Sequence, residues 1–149
     1  MCGHILKVKV QALRQDWVIN MARYSLIRGW LECAFDDIGA IEKVVNEHWM
    51  LCETYGIDAE RAALYKKGWG FPREPMNWTS VIFYGGNVSQ IAVSFLQDCM
   101  EKIAVLNIEI CGAFFIDDEE ETDIRQWLLN DGKFQNMSRD FMISPRRFD

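Results

Sequence analysis

The sequence predicts an α+β domain built on one largely antiparallel sheet. Some segments carry aromatic and β-branched residues at the two-residue period of a strand, while others space apolar residues by three or four, as an amphipathic helix does. The two kinds interleave as β-α-β-β-α-β, and a polar turn signal inside a hydrophobic run then adds a C-terminal β-hairpin.

Residues 22–35 open the domain as a strand. Tyr24, Leu26, Trp30 and Ala34 share one face, and Ile27, Leu31, Cys33 and Phe35 share the other, so a central strand is expected. Asp36 and Asp37 place an N-cap and negative charge at a helix start. Ile38, Ile41, Val45, Trp49, Cys52 and Tyr55 form one buried stripe, and Gly56 stops it by taking a left-handed conformation. Residues 62–71 and 78–84 are the next two predicted strands, separated by Pro72 and Pro75. Gly85-Gly86 predicts a turn, and Asn87 with Gln90 predicts a capping box for the second helix. Ala92, Phe95, Leu96, Cys99, Ile103 and Leu106 line that helix's apolar face, with Asn107 as its end. Strands over residues 108–116 and 124–129 flank an acidic run. Asn130-Asp131-Gly132 is hairpin turn chemistry, and residues 133–135 continue the sheet. Each helix has a single apolar stripe, so both are expected on one side of the sheet, in a ferredoxin-like arrangement that leaves the other side open.

The composition narrows the functional classes. The chain has 149 residues, 50% of them hydrophobic and 26% charged, which is globular rather than disordered or collagenous. Twenty-two acids against 16 bases give a formal charge of −6, which disfavours nucleic acid as a partner and suits a basic one. No apolar run reaches the ~18–20 residues that span a bilayer, and the N-terminal stretch, broken by Lys7, Lys9, Arg14 and Asp16, does not read as a secretory signal. A cytoplasmic location without membrane association is expected. Residues 1–20 carry +2 and precede Met21, so they read either as an N-terminal extension to a domain over 21–149 or as a peripheral element of it.

The residue types that carry chemistry are sparse. Cys2, Cys33, Cys52, Cys99 and Cys111 are odd in number and form no CxxC pair, so reduced thiols are expected, without disulfides or zinc. The two histidines, His4 and His48, form no metal-binding spacing. A small enzyme with Cys33 as nucleophile and His48 as base is one alternative, but nothing marks the third, orienting group. No cofactor signature appears; the loop at residues 84–89 lacks the lysine of a P-loop. Lys67-Gly68-Trp69-Gly70-Phe71 resembles the core signature of an RNA-recognition motif, which makes an RNA-binding module the other alternative. Against it, Pro72 replaces the usual valine, and a further strand separates the signature from the second helix.

A set of anchors in order carries a family resemblance. Arg28-Gly29-Trp30-Leu31 opens the domain, and Gly112-Ala113-Phe114-Phe115-Ile116-Asp117-Asp118-Glu119-Glu120 runs from a strand into acids. Trp127-Leu128-Leu129-Asn130-Asp131-Gly132-Lys133 ends a strand in a glycine turn, and Asp140-Phe141-Met142-Ile143-Ser144-Pro145 closes the pattern. Together they resemble the immunity protein 7 family of bacterial polymorphic toxin systems. The tail carries one residue more than the family's tighter ending, and residues 66–78 match none of its features. The resemblance implies a non-enzymatic antidote in the bacterial cytoplasm that binds a cognate toxin domain. Asp117, Asp118, Glu119, Glu120 and Glu121 are then the expected charged contacts to a basic toxin, with Trp127 and Trp30 as aromatic anchors.

Overall fold

The computed structural model describes residues 23–118 and 124–137. They form an α+β fold with a six-stranded antiparallel sheet and three α-helices. The strands are β1 (Tyr24–Ala34), β2 (Trp69–Gly70), β3 (Thr79–Ser89), β4 (Cys111–Asp118), β5 (Ile124–Asn130) and β6 (Lys133–Met137). The helices are α1 (Ile38–Trp49), α2 (Ala59–Lys66) and α3 (Gln90–Ala104), with short 3₁₀ turns at Phe35–Asp37 and Cys52–Tyr55. The sheet order is β2-β3-β1-β4-β5-β6. As its two-faced apolar pattern predicts, β1 is central, paired with β3 from Tyr24↔Ser89 to Ala34↔Thr79 and with β4 from Ser25↔Asp118 to Glu32↔Cys111.

The period of two sorts the sheet's side chains cleanly. Ile27, Leu31 and Cys33 of β1, Ile82, Tyr84 and Val88 of β3, Phe114 and Ile116 of β4, and Trp127 and Leu129 of β5 project to one side. There they share a core with Ile41, Val45 and Trp49 of α1 and Phe95, Leu96, Cys99 and Ile103 of α3. The opposite side carries Leu26, Arg28, Trp30 and Glu32 of β1, and no described helix covers it. Phe115 and Gln126 are nevertheless buried there.

Two local expectations are corrected. Residues 62–71, expected as a strand, divide into α2 and the two-residue β2. Asp58 caps α2 by accepting from the Arg61 N–H at 2.8 Å, and Ala59, Ala62, Ala63 and Leu64 are strong helix formers, which outweighs the aromatic content. Aromatic contacts then fix the unit. The Trp49 indole donates to the Ala62 carbonyl at 2.7 Å, and the Tyr84 hydroxyl donates to the Tyr65 carbonyl at 2.8 Å.

Gly85-Gly86 is not a turn either. β3 runs through both glycines, which pair with Arg28 and Ile27. The space is used by Tyr84, since a Cβ on Gly86 would lie 3.2 Å from its hydroxyl, while the Gly85 N–H donates to the Gly68 carbonyl at 3.1 Å. Helix α3 therefore starts at Gln90 with Ser89 as its N-cap, in place of the box expected from Asn87. By contrast, Gly56 at φ 79° ends the turn after α1, and Asp131 and Gly132, at φ 53° and 73°, form the β5–β6 turn, both as expected. The readings of residues 1–20 and of the C-terminal tail lie outside the described residues.

Candidate functional site

The acidic contacts expected at the end of β4 divide on folding. Asp117 projects to the helix-free side and forms an ion pair with Arg28 at 2.9 Å. Arg28 also lies 6.0 Å from the centroid of the Phe115 ring. Asp118 faces the core side and is 8% exposed. It accepts a hydrogen bond from the Ser25 hydroxyl, its register partner on β1, and its carboxylate lies 3.4 Å from the Arg125 guanidinium on β5. These two acids tie β1, β4 and β5 together, and their charge is matched inside the sheet. Glu119, Glu120 and Glu121 lie outside the described residues.

The two expected aromatic anchors also part company. Trp127 has no exposed surface. It packs between Phe114 and Phe134, with ring centroids at 6.4 and 5.9 Å, and its buried indole N–H has no partner among the described residues. In this position it packs the core and offers no surface to a docking protein. Trp30 is half-buried on the helix-free side, where its indole N–H donates to Glu32 at 2.8 Å. Trp69, the aromatic of the RNA-motif lookalike, turns toward the helices and contacts Trp49 and Tyr84 at 6.3 and 5.0 Å. It offers no stacking platform on the helix-free side.

Four acids without a described ion-pair partner lie instead at the other end of β4. From Asp118 back to Cys111 the strand spans roughly 23 Å at ~3.3 Å per residue. There a cavity of about 820 Å³ opens between the end of β1, the start of β3, the segment before β4 and the β5–β6 turn. Glu32, Asp37, Glu109 and Asp131 line it, and among the described residues no lysine or arginine does. A second cavity of about 520 Å³ adjoins it on the helix-free side, sharing Glu32, Cys111, Asn130 and Asp131. Trp78, 91% exposed, stands at the rim of the larger one. None of these acids falls in the acidic run that stands out in the sequence; they come from four separate segments.

The groove's thiols register its field. Burial, followed by the charges of Glu32 and Glu109, pushes the Cys111 thiol above its ordinary value. Burial, followed by Asp37, pushes Cys33 up to about 11. At neutral pH Cys33 is therefore a thiol rather than the thiolate a nucleophile requires. His48, its suggested base, is engaged elsewhere. The ring is 1% exposed, one nitrogen lies 2.7 Å from the Phe95 carbonyl, and the other lies 3.0 Å from the Lys102 ammonium. Lys102 can only donate, so Nδ1 accepts and Nε2–H donates to Phe95, which fixes a neutral tautomer. Desolvation in this position holds the His48 imidazole below its usual value.

Among the described residues no group of three or more His, Cys, Asp or Glu side chains is placed to hold a metal ion, and no helix is long and apolar enough to cross a membrane. No protein-family model, curated protein or solved structure matches the chain.

Proposed function

We propose that this protein works by stoichiometric binding, as an immunity protein that neutralises a basic toxin domain in the bacterial cytoplasm. The observation that carries the reading is the groove lined by Glu32, Asp37, Glu109 and Asp131, with no lysine or arginine among its described lining residues, beside the exposed Trp78. Carboxylates held apart from internal cations raise the local negative potential and steer a cationic partner into contact. Aromatic side chains at such a rim supply the apolar area that makes an encounter last. The contact surface of the proposal thus moves from the end of β4 at Asp117 and Asp118 to its start. Glu119, Glu120 and Glu121, outside the described residues, stay in the proposal as a second set of contacts separate from this groove.

The fold supports the same reading. We read the strands β4-β1-β3-β2 of the six-stranded antiparallel sheet as a ferredoxin-like arrangement, with β5-β6 added beside β4. An added hairpin of this kind extends the helix-free side and contributes Asp131, at its turn, to the groove.

The test reads the gene directly upstream, where the proposal expects a large secreted protein, and co-expresses this chain with that protein's C-terminal domain, scoring growth and isolating the complex. Rescue of growth together with a one-to-one complex supports the proposal. Growth arrest despite full expression of this chain refutes it. Reversal of Glu32, Glu109 and Asp131 to lysine is expected to weaken the complex at least tenfold and to reduce its salt dependence.

A further inference from the structure

We propose that the helix-free side of the sheet carries a preformed socket for one arginine side chain of the basic partner, walled by Trp30 and closed at one end by Glu32. This deepens the reading above, since it names the side chain that the electronegative end of the sheet receives.

The socket follows from the register. Phe83, Trp30, Ala113, Leu128 and Gln135 stand side by side across β3, β1, β4, β5 and β6. Ala113 is the smallest of them and sits between an indole and a leucine. With strands ~4.8 Å apart, Trp30 and Leu128 are about 10 Å apart across it, which admits a planar group between two apolar walls. This is the cavity of about 520 Å³, with Glu32, Cys111, Asn130 and Lys133 around its ends.

Its chemistry selects a flat cation. The Trp30 indole is already held by its 2.8 Å bond to Oε2 of Glu32, so the ring loses little freedom on binding. The other carboxylate oxygen, Oε1, has no hydrogen-bond partner among the described residues. A guanidinium can stack on the indole and donate to that oxygen at once, because it is planar, weakly hydrated and always charged. A lysine ammonium satisfies the charge but not the shape.

The experiment titrates the chain with hexaarginine and with hexalysine, following the Trp30 indole N–H resonance by NMR. Hexaarginine is expected to shift that resonance and to bind at least threefold more tightly than hexalysine. Glu32→Gln, which keeps size and the bond from Trp30, is expected to weaken hexaarginine about fivefold. Ala113→Leu, which fills the socket, is expected to abolish the shift; a matched spectrum elsewhere shows that the variant folds. An unmoved Trp30 resonance at saturation, equal binding of the two peptides, or an unchanged affinity for E32Q overturns the proposal in favour of diffuse attraction to an acidic chain. The two readings fail separately. Binding of the toxin domain with Trp30 unperturbed sinks only the socket. Arginine binding without any complex with the toxin domain sinks only the immunity role.

Discussion

Acidification is expected to loosen the helical layer through His48. Both ring nitrogens are committed, Nε2–H to the Phe95 carbonyl at 2.7 Å and Nδ1 to the Lys102 ammonium at 3.0 Å. A second proton on the ring would set N–H against N–H at Lys102. The surroundings add Asp98 of α3, which favours the charged ring, but desolvation is the largest influence and the pKa is lowered. The folded chain resists a proton that the unfolded chain accepts, so the contribution is complete above the ordinary histidine value near 6.5 and is lost as the pH falls below it. The loss is at most about 1.4 kcal/mol for each pH unit below 6.5. The assay is urea denaturation at pH 7.5 and 5.5 for the wild type and for His48→Gln. An amide in that place can still donate to Phe95 and accept from Lys102, yet cannot titrate. Carboxylate effects are common to both proteins and cancel. The wild type is expected to lose about 1 kcal/mol more than H48Q. An equal loss in the two, or an NMR titration of His48 centred at or above the ordinary value, refutes the argument.

Other expectations test the packing and the groove. A Cβ on Gly112 would lie 2.3 Å from the Trp30 carbonyl oxygen, a backbone atom that cannot swing away, so Gly112→Ala should cost about 2–4 kcal/mol in denaturant unfolding. Gly39 of α1 has nothing within 4 Å of the same position, so Gly39→Ala should stabilise by about 0.5–1 kcal/mol. Trp127→Ala should cost about 3–5 kcal/mol, and Trp127→Phe less than half of that, because Phe fills part of the site and removes a buried N–H that has no partner. Alkylation mapped by mass spectrometry at pH 7.5 should leave Cys33 and Cys99 unmodified, since burial pushes them up to about 11 and about 12. The exposed Cys111 should react more slowly than a free thiol and faster in E32Q; an unaltered rate there would remove Glu32 from its environment.

The elements with a strong local period were legible in the sequence. The central place of β1, the stripes of α1 and α3, and the Asn130-Asp131-Gly132 turn all follow from spacing and turn chemistry. The segment around α2 misled because Leu64, Tyr65, Trp69 and Phe71 suit a strand by composition, while the deciding features are the Asp58 cap and the bond from Trp49. Gly85-Gly86 reads as a break until the bulk of Tyr84 beside it is known. The site was the least legible part. Asp117 looks unmatched in a run of acids because its partner, Arg28, stands 89 residues away. Glu32, Asp37, Glu109 and Asp131 attract no notice as scattered acids, and only the sheet brings them to one cavity.

The double pairing of β1 sets the order in which the chain can become a protein. Its neighbours arrive late, one at residues 79–89 and the other at 111–118. During synthesis, a ribosome-bound chain therefore presents a long, apolar ribbon with an unsatisfied edge until residues 111–118 have emerged. Such an intermediate invites pairing with the wrong strand and favours slow, all-at-once acquisition of structure over piecemeal assembly. Shielding by a chaperone at that stage would raise the yield of active molecules without altering how well they hold together afterwards.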